Sequence, residues 1–127
     1  MAEKDFSEVF ISLRSILTPY APHMEVIADS PAEYGLQTHW RRPKDGYPGY
    51  FGGVKVGKRY VSFHLMPVYA FPDLLGSTSP DLLKRMQGKS CFNFTKVDEA
   101  VLAELTDLTR LGYRSFEANG LLENSHG

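Results

Sequence analysis

The sequence has little cysteine: Cys91 is the only one among 127 residues. A single thiol cannot form an internal disulfide, and no second cysteine is present to complete a zinc knuckle. Such cysteine usage is typical of a reducing compartment. The sequence also lacks the apolar core of a signal peptide and any apolar run of the ~20 residues that span a bilayer. We therefore expect a cytoplasmic protein with no membrane partner.

An excess of charge of either sign is absent as well. Fourteen basic residues stand against fifteen acidic residues, so the formal net charge is −1. A nearly neutral chain has no overall attraction for nucleic acid or anionic lipid, and it lacks the acidity of a many-site cation store. A nucleic-acid partner is therefore not expected unless basic residues gather locally.

Internal repeats, low-complexity tracts and linkers are missing too, which predicts one domain over residues 1–127. The hydrophobic fraction, 43%, is typical of a globular protein that buries its own core. We expect the packed part to cover about residues 4–118. Residues 119–127 are expected to form a loose tail.

Hydrophobic periodicity and turn residues predict the element order α-β-β-β-β-α-β-α. The predicted elements are helix 4–18, strands 24–28 and 34–40, a hairpin over 50–65, a short helix over 80–86, strand 90–94 and helix 98–118. This order is typical of a two-layer α+β sandwich, with a mainly antiparallel sheet of about five strands and the helices on one face. The other sheet face is then open to water or to a partner.

The hairpin contains the strongest local signal, a Gly57-Lys58 turn between two apolar stretches. A glycine in first place favours a two-residue primed turn, which pairs Val56 with Arg59 and Val54 with Val61. Alternation then places these side chains on the open face: Phe51, Lys55, Tyr60, Ser62 and His64.

The open face carries the residue types of a thiol nucleophile site, His64, Cys91 and Asn93. With His39, these types also suit zinc or iron, although none has short ligand spacing. A cysteine in mid-strand lacks the helix N-terminus or cationic neighbour that lowers a thiol pKa. The sequence therefore predicts a polar, solvated face with no catalytic residue. A thiol- or metal-dependent enzyme requires His64 and Cys91 on adjacent strands.

A basic loop follows Trp40, with further basic residues on the hairpin at Lys55, Lys58 and Arg59. Aromatic residues beside arginine suit a protein hot spot or stacking on bases, whereas the alternative is a solvated loop whose aromatics pack into the core. We expect the binding surface to combine the open face with this rim. Its predicted residues are Trp40, Arg41, Arg42, Lys44, Phe51, Tyr60, His64, Cys91 and Asn93.

Four stretches of the chain resemble the YdhG-like domain family, a widespread bacterial family that is mainly of unknown function. They are Thr18-Pro19-Tyr20-Ala21-Pro22 with the following Glu25, then Phe51-Gly52-Gly53-Val54-Lys55, then Tyr60 to Pro67, and Gly88 to Phe94. Together they cover most of residues 6–116. The resemblance consists of the residue patterns within the strands and the spacing between them.

The resemblance implies a frataxin-like α/β sandwich. Some members of this group are tied to iron handling, as donors to iron–sulfur assembly. Frataxins carry an acidic ridge on the first helix and the neighbouring strand edge. The acidic residues at the corresponding places here are Glu3, Asp5, Glu8, Glu25 and Asp29. Iron is therefore the one cofactor that the resemblance suggests.

The chain is also similar to YjbR-like proteins, whose fold carries a Gly-Lys hairpin followed by a helix. Some of these are DNA-binding, and Arg41, Arg42, Lys44 and Arg59 suit that function. The sequence as a whole favours a non-enzymatic binding or accessory domain, a monomer or weak dimer with a protein partner or a small ligand. An iron chaperone, a nucleic-acid binder and a thiol- or metal-dependent enzyme are the alternatives.

Overall fold

The computed structural model of the chain describes residues 6–46 and 48–123. Its strands are β1 (Glu25–Asp29), β2 (Glu33–Arg41), β3 (Pro48–Val56), β4 (Val61–Leu65), β5 (Met86–Gln87) and β6 (Cys91–Phe94). Its α-helices are α1 (Ser7–Leu17), α2 (Met66–Ala70), α3 (Pro80–Leu83) and α4 (Glu99–Ala118), and two 3-10 helices cover Thr18–His23 and Pro72–Ser77.

All six strands pair antiparallel in one sheet, in the order β1-β2-β3-β4-β6-β5. The helix α1 packs on β3, β4 and α4, so one face of the sheet is covered and the other is open. The predicted α+β architecture with two layers is confirmed. The largest fully buried side chains between the layers include Phe51, Phe63, Phe92, Phe94, Leu13, Leu17, Leu36 and Leu65. Each contributes about 1.5–3 kcal/mol through apolar burial.

The sheet has one strand more than the five that the sequence predicts. The short helix was expected to reach Met86, but α3 ends at Leu83. Met86 and Gln87 instead pair with Phe92 and Cys91 as β5. Gly88, with φ of 83°, reverses the chain between these two strands, a conformation that glycine adopts without strain.

The helices α3 and α4 begin within one residue of their predicted starts, whereas α2 has no counterpart among the predicted elements. Ser79 caps α3 by accepting a hydrogen bond from the Leu82 N–H at 3.3 Å, and Asp98 caps α4 in the same way through Val101. A β-carbon on Gly112 of α4 would lie 2.8 Å from the Pro67 β-carbon, so glycine allows α2 and α4 to approach closely. No helix in residues 6–46 and 48–123 is long and apolar enough to cross a membrane.

The predicted register of the β3–β4 hairpin is wrong by two residues. Val56 pairs with Val61 and Val54 with Phe63, and a four-residue connection closes with a 2.8 Å bond from Gly57 N–H to the Tyr60 carbonyl. A two-residue turn would set Val56 against Arg59 on the core face. The longer connection sets valine against valine there, which buries apolar surface in place of a charge. Tyr60 consequently lies in the connection and not on the sheet.

The prediction that Phe51 lies on the open face is also wrong, since its side chain is fully buried. Leu36 pairs with Gly52 but Gln37 pairs with Tyr50, so Phe51 is the extra residue of a bulge in β3. The bulge turns Phe51 into the core, where its ring packs against Phe116 at 5.7 Å. It also turns Tyr50 to the open face.

The packed part of the chain continues beyond residue 118, where a loose tail was expected. The Leu122 carbonyl accepts a 2.8 Å hydrogen bond from His39 N–H, and Leu121 N–H bonds the Phe116 carbonyl at 2.9 Å. Residues 38–40 of β2 lack a partner on β3, so Leu122 supplies the acceptor that His39 needs. Residues 124–127 lie outside the described residues.

Candidate functional site on the open sheet face

A hollow of about 640 Å³ lies on the open face of the sheet. Three residues paired across neighbouring strands form its floor: Gly53 on β3, His64 on β4 and Cys91 on β6. Gly53 contributes no side chain, whereas Gly35, its partner on β2, lies against the Ile27 side chain. The hollow is lined by Ile27, Glu33, Tyr34, Gln37, Tyr50, Gly53, Val54, Lys55, Ser62, His64, Met66 and Cys91.

Tyr50 forms the roof over one part of this floor. Its hydroxyl contacts the point where a β-carbon of Gly53 would stand, and its ring meets His64 edge-on at a centroid distance of 5.3 Å. Burial, with smaller contributions from Cys91 and Glu33, raises the pKa of Tyr50 to about 12. The hydroxyl therefore keeps its proton, and it makes no hydrogen bond to any residue that the structure describes. It is a donor available to a ligand.

His64 links Cys91 and Ser90 into a chain of three polar side chains. The distance from His64 Nδ1 to Cys91 Sγ is 3.0 Å, and Ser90 Oγ lies 3.3 Å from His64 Nε2. When the thiol donates to Nδ1, Nε2 carries the ring proton and donates to Ser90 Oγ. Ser90 is buried in the turn just before β6, so it fixes the orientation of the imidazole from behind.

The floor of the hollow is uncharged near neutral pH. Burial lowers the pKa of His64 below its ordinary value of 6.5. Burial also raises the pKa of the Cys91 thiol above 9.0, although a hydrogen bond with Ser90 offsets part of that effect. The pair therefore rests as thiol and imidazole and not as thiolate and imidazolium.

Further hydrogen-bonding groups flank this pair. Ser62 Oγ donates to Asn93 Oδ1 at 2.9 Å on the same face. Glu33 and Lys55 are neighbours in the β2–β3 register and stand exposed at the rim. Neither side chain forms an ion pair with a described residue. The hollow thus combines an uncharged floor with one charge of each sign at its edge.

The sequence placed five of these residues correctly on the open face, namely Lys55, Ser62, His64, Cys91 and Asn93. The structure answers the question that the sequence left open, because His64 and Cys91 are register partners on adjacent strands. Tyr50 and Ser90 were missed. The alternation rule assigns Tyr50 to the core, and only the bulge at Phe51 reverses that assignment.

Trp40, which was predicted at the rim of the same binding surface, lines a different hollow. Trp40 is half-buried and lines a separate hollow of about 350 Å³ with Arg42, Gly49, Phe116 and Leu121 on the helix side of the sheet. Tyr50 and Met66 border both hollows. The predicted single surface therefore divides into two adjoining hollows that share Tyr50 and Met66.

The predicted basic patch is divided and partly neutralised. Arg41 Nη2 bonds Glu25 at 2.9 Å, and Arg42 Nη2 bonds Asp45 at 2.7 Å. Lys44 is exposed in the same loop. Lys58 and Arg59 lie at the opposite end of β3, roughly 25 Å away at about 3.3 Å per strand residue.

The acidic residues of the iron alternative are also held apart. Glu25 accepts bonds from Gln37 at 2.7 Å and from Arg41, and His39 Nδ1 lies 3.3 Å away. The Gln37 and Arg41 bonds lower the pKa of Glu25. Asp29 pairs with Arg14 at 3.2 Å, and Glu8 is exposed on α1. Glu3 and Asp5 lie outside the described residues.

Within residues 6–46 and 48–123, no three His, Cys, Asp or Glu side chains group closely enough to hold a metal ion.

Comparison of the chain with known proteins gives no match to any protein-family model, curated protein or solved structure. The function must therefore be argued from the site itself.

Proposed function

We propose that the protein is a small-molecule-binding domain whose ligand occupies the hollow on the open sheet face. The observation that carries this proposal is the Tyr50 hydroxyl, a protonated donor without a partner among the described residues, held above a glycine floor. No buried side-chain nitrogen or oxygen among the described residues lacks a hydrogen-bond partner, so the Tyr50 hydroxyl is open to solvent, and a ligand acceptor can take the place of solvent there.

Size and chemistry narrow the class of ligand. A volume of about 640 Å³ lies within the ~300–1,000 Å³ range of small-molecule sites. The Tyr50 hydroxyl offers a hydrogen bond, and the neutral His64 and Cys91 beside it add no charge, so the hollow suits an uncharged group that accepts a hydrogen bond, such as a carbonyl. Tyr50, Met66 and Ile27 add apolar surface for the rest of the ligand.

The proposal includes a fold assignment to the YdhG-like, frataxin-like group and a cytoplasmic location. An antiparallel sheet covered on one face by its first and last helices supports the fold assignment. The single free thiol, Cys91, supports the location, because secreted domains usually pair their cysteines.

The alternatives have weaker support from the side chains. An iron chaperone needs free carboxylates, whereas Glu25 and Asp29 are each bound to an arginine. A nucleic-acid binder needs gathered free cations, whereas Arg41 and Arg42 are each bound to a carboxylate. A protein partner remains a proposal for the half-buried Trp40 and the exposed Lys44.

The proposal is tested by screening uncharged carbonyl-containing fragments with ligand-observed NMR against three proteins. Tyr50→Phe removes only the hydroxyl of the roof, and Tyr69→Phe makes the same change on an exposed tyrosine outside the hollow. We expect fragments that bind the wild type and Tyr69→Phe about two- to tenfold more tightly than Tyr50→Phe, since one hydrogen bond contributes about 0.5–1.5 kcal/mol. Equal binding to all three proteins contradicts the proposal.

A further inference from the structure

We propose that Cys91 attacks the carbonyl carbon of an ester or thioester bound in the hollow, with His64 as general base. The inference rests on the proposed function, because it names the class of compound that the same hollow binds. Its geometric basis is the 3.0 Å separation of His64 Nδ1 and Cys91 Sγ, with both side chains lining the hollow. A nucleophile within hydrogen-bond reach of its base, which a third group orients, is the arrangement that activates a cysteine.

The proton has a defined path in this arrangement. The Cys91 thiol gives its proton to Nδ1 as Sγ bonds to the carbonyl carbon, while Nε2–H donates to Ser90 Oγ at 3.3 Å. Collapse of the intermediate breaks the carbon–oxygen or carbon–sulfur bond to the leaving group. His64 returns the proton to that group, so an alcohol or thiol leaves and an acyl-thioester remains on Cys91.

Water then completes the cycle. His64 accepts a proton from water, the hydroxide attacks the acyl carbon, and the Cys91 sulfur leaves and regains a proton through the imidazole. The products are a carboxylic acid and the free thiol. No oxidant or reductant is required, because the reaction is the hydrolysis of one acyl bond.

Tyr50 supplies the hydrogen-bond donor that such a step needs. Negative charge develops on the carbonyl oxygen, and a donor already in place stabilises it. The Tyr50 hydroxyl lies over Gly53, whose register partner is His64, so it faces the hollow beside the nucleophile. The backbone N–H groups of mid-sheet residues are committed to the strand ladder, which leaves this role to a side chain.

Ser90 acts as a positioning residue. It does not face the substrate, but it holds Nε2 and thereby directs Nδ1 toward Cys91. The titratable groups that face His64 are Cys91 on β6 and Tyr50 on β3, with Glu33 and Lys55 at the rim of the hollow. Ser90→Ala should therefore shift the pH midpoint of the acylation rate, whereas a merely structural serine would leave that midpoint unchanged.

The experiment measures acetyl transfer from p-nitrophenyl acetate to the full-length protein, by nitrophenol release and by intact mass. We expect one acetyl group on the wild type, none on Cys91→Ser, and a rate about 100-fold lower in His64→Gln. N-acetylcysteine gives the reactivity of an unassisted thiol. A wild-type rate equal to that of N-acetylcysteine, or unchanged in His64→Gln, overturns the proposal.

The pH profile of the wild type gives a second test that needs no variant. General-base attack makes the rate rise through the pKa of His64, below 6.5, and then level off around neutral pH. An unassisted thiol reacts as its thiolate, so its rate climbs about tenfold per pH unit up to the thiol pKa. A continuous climb through pH 8 overturns the proposal.

The same proteins separate this inference from the proposed function. Fragment binding by the wild-type protein reports the proposed function, and acyl transfer in the same protein reports the inference. Carbonyl fragments that bind the wild type more tightly than Tyr50→Phe, without any acyl transfer in the wild type, overturn the thiol chemistry alone. Absence of both binding and acyl transfer overturns the proposed function together with the inference.

Discussion

The hydroxyl of Tyr50 occupies the place above Gly53 where any other residue would carry its β-carbon. Two features of β3 produce this relationship. One is Gly53 itself, and the other is the bulge at Phe51, which turns Tyr50 to the open face. Because the row of paired residues continues through His64 to Cys91, the same contact sets the phenol beside the only thiol of the chain. The position of the Tyr50 hydroxyl beside His64 and Cys91 therefore depends on one local irregularity of β3.

Replacing Gly53 with alanine should close this part of the hollow. The new β-carbon would meet the Tyr50 hydroxyl and lie 3.0 Å from the Tyr34 carbonyl oxygen, which belongs to the backbone and cannot move away. We expect a loss of about 1–3 kcal/mol in the free energy of unfolding, measured by urea denaturation. Fragment binding should be lost as well.

Gly35→Ala is the matched control for that substitution. Its β-carbon would meet only the side chains of Ile27, at 3.3 Å, and Ala28. Ile27 is exposed and can rotate away, so the expected loss is below about 1 kcal/mol. A loss in Gly35→Ala as large as in Gly53→Ala would contradict the role given to Tyr50.

The stability of the protein should depend on His64 in mildly acidic solution. Burial lowers the folded-state pKa of His64, so below pH 6.5 the unfolded chain takes up this proton first. The contribution of uncharged His64 to the free energy of unfolding is fully present above pH 6.5. It is lost as the pH falls toward the folded-state pKa. Between pH 7.5 and pH 5, the free energy of unfolding measured by urea denaturation should fall less for His64→Gln than for the wild type.

His23→Gln gives the corresponding control, because His23 is an exposed histidine outside the hollow. Its decline between pH 7.5 and pH 5 should match that of the wild type. If the His64→Gln and wild-type curves run parallel, His64 is not buried as an uncharged imidazole.

Ser79 should be the most sensitive serine at a helix end. It caps α3 through Leu82 N–H, and Glu104 of α4 bonds both its hydroxyl and its N–H, at 2.5 and 2.6 Å. We expect Ser79→Ala to lower the free energy of unfolding by about 1–2 kcal/mol. Ser15→Ala, on an exposed serine of α1, should change it by less than about 0.5 kcal/mol. Equal effects would show that the contact between α3 and α4 is not made.

Ending the chain after Gly120 should destabilise β2. The truncation removes the Leu122 carbonyl and leaves His39 N–H without its acceptor, at a cost of about 1–3 kcal/mol. Hydrogen exchange of the His39 amide should become faster. A chain that ends after Glu123 keeps both leucines and should match the wild type, and an unchanged His39 exchange rate in the shorter chain would exclude the bond.

Local patterns in the sequence predicted much of this fold. The alternation along β6 sets Cys91 and Asn93 outward, next to the buried Phe92 and Phe94. The strand is regular at these positions, so a period of two describes it. The starts of α3 and α4 are equally local, because the caps at Ser79 and Asp98 each involve residues only three apart.

The candidate site depends on features that are not local. The neighbour of β4 is β6 and not the next strand along the chain, so no sequence pattern could pair His64 with Cys91. The bulge at Phe51 reverses the alternation only because β3 must match β2 on one side and β4 on the other. Leu122 joins the sheet because β2 parts from β3, which is again a tertiary effect.

The most direct test of the binding site is an amide chemical-shift map of the wild-type protein with its tightest uncharged carbonyl fragment. The account predicts that the perturbed amides cluster at Gly53, His64 and Cys91 and that residues around Trp40 and Leu121 stay unchanged. Perturbations centred on Trp40 and Leu121, or spread over the surface without a cluster, would contradict the assignment of the open-face hollow as the binding site.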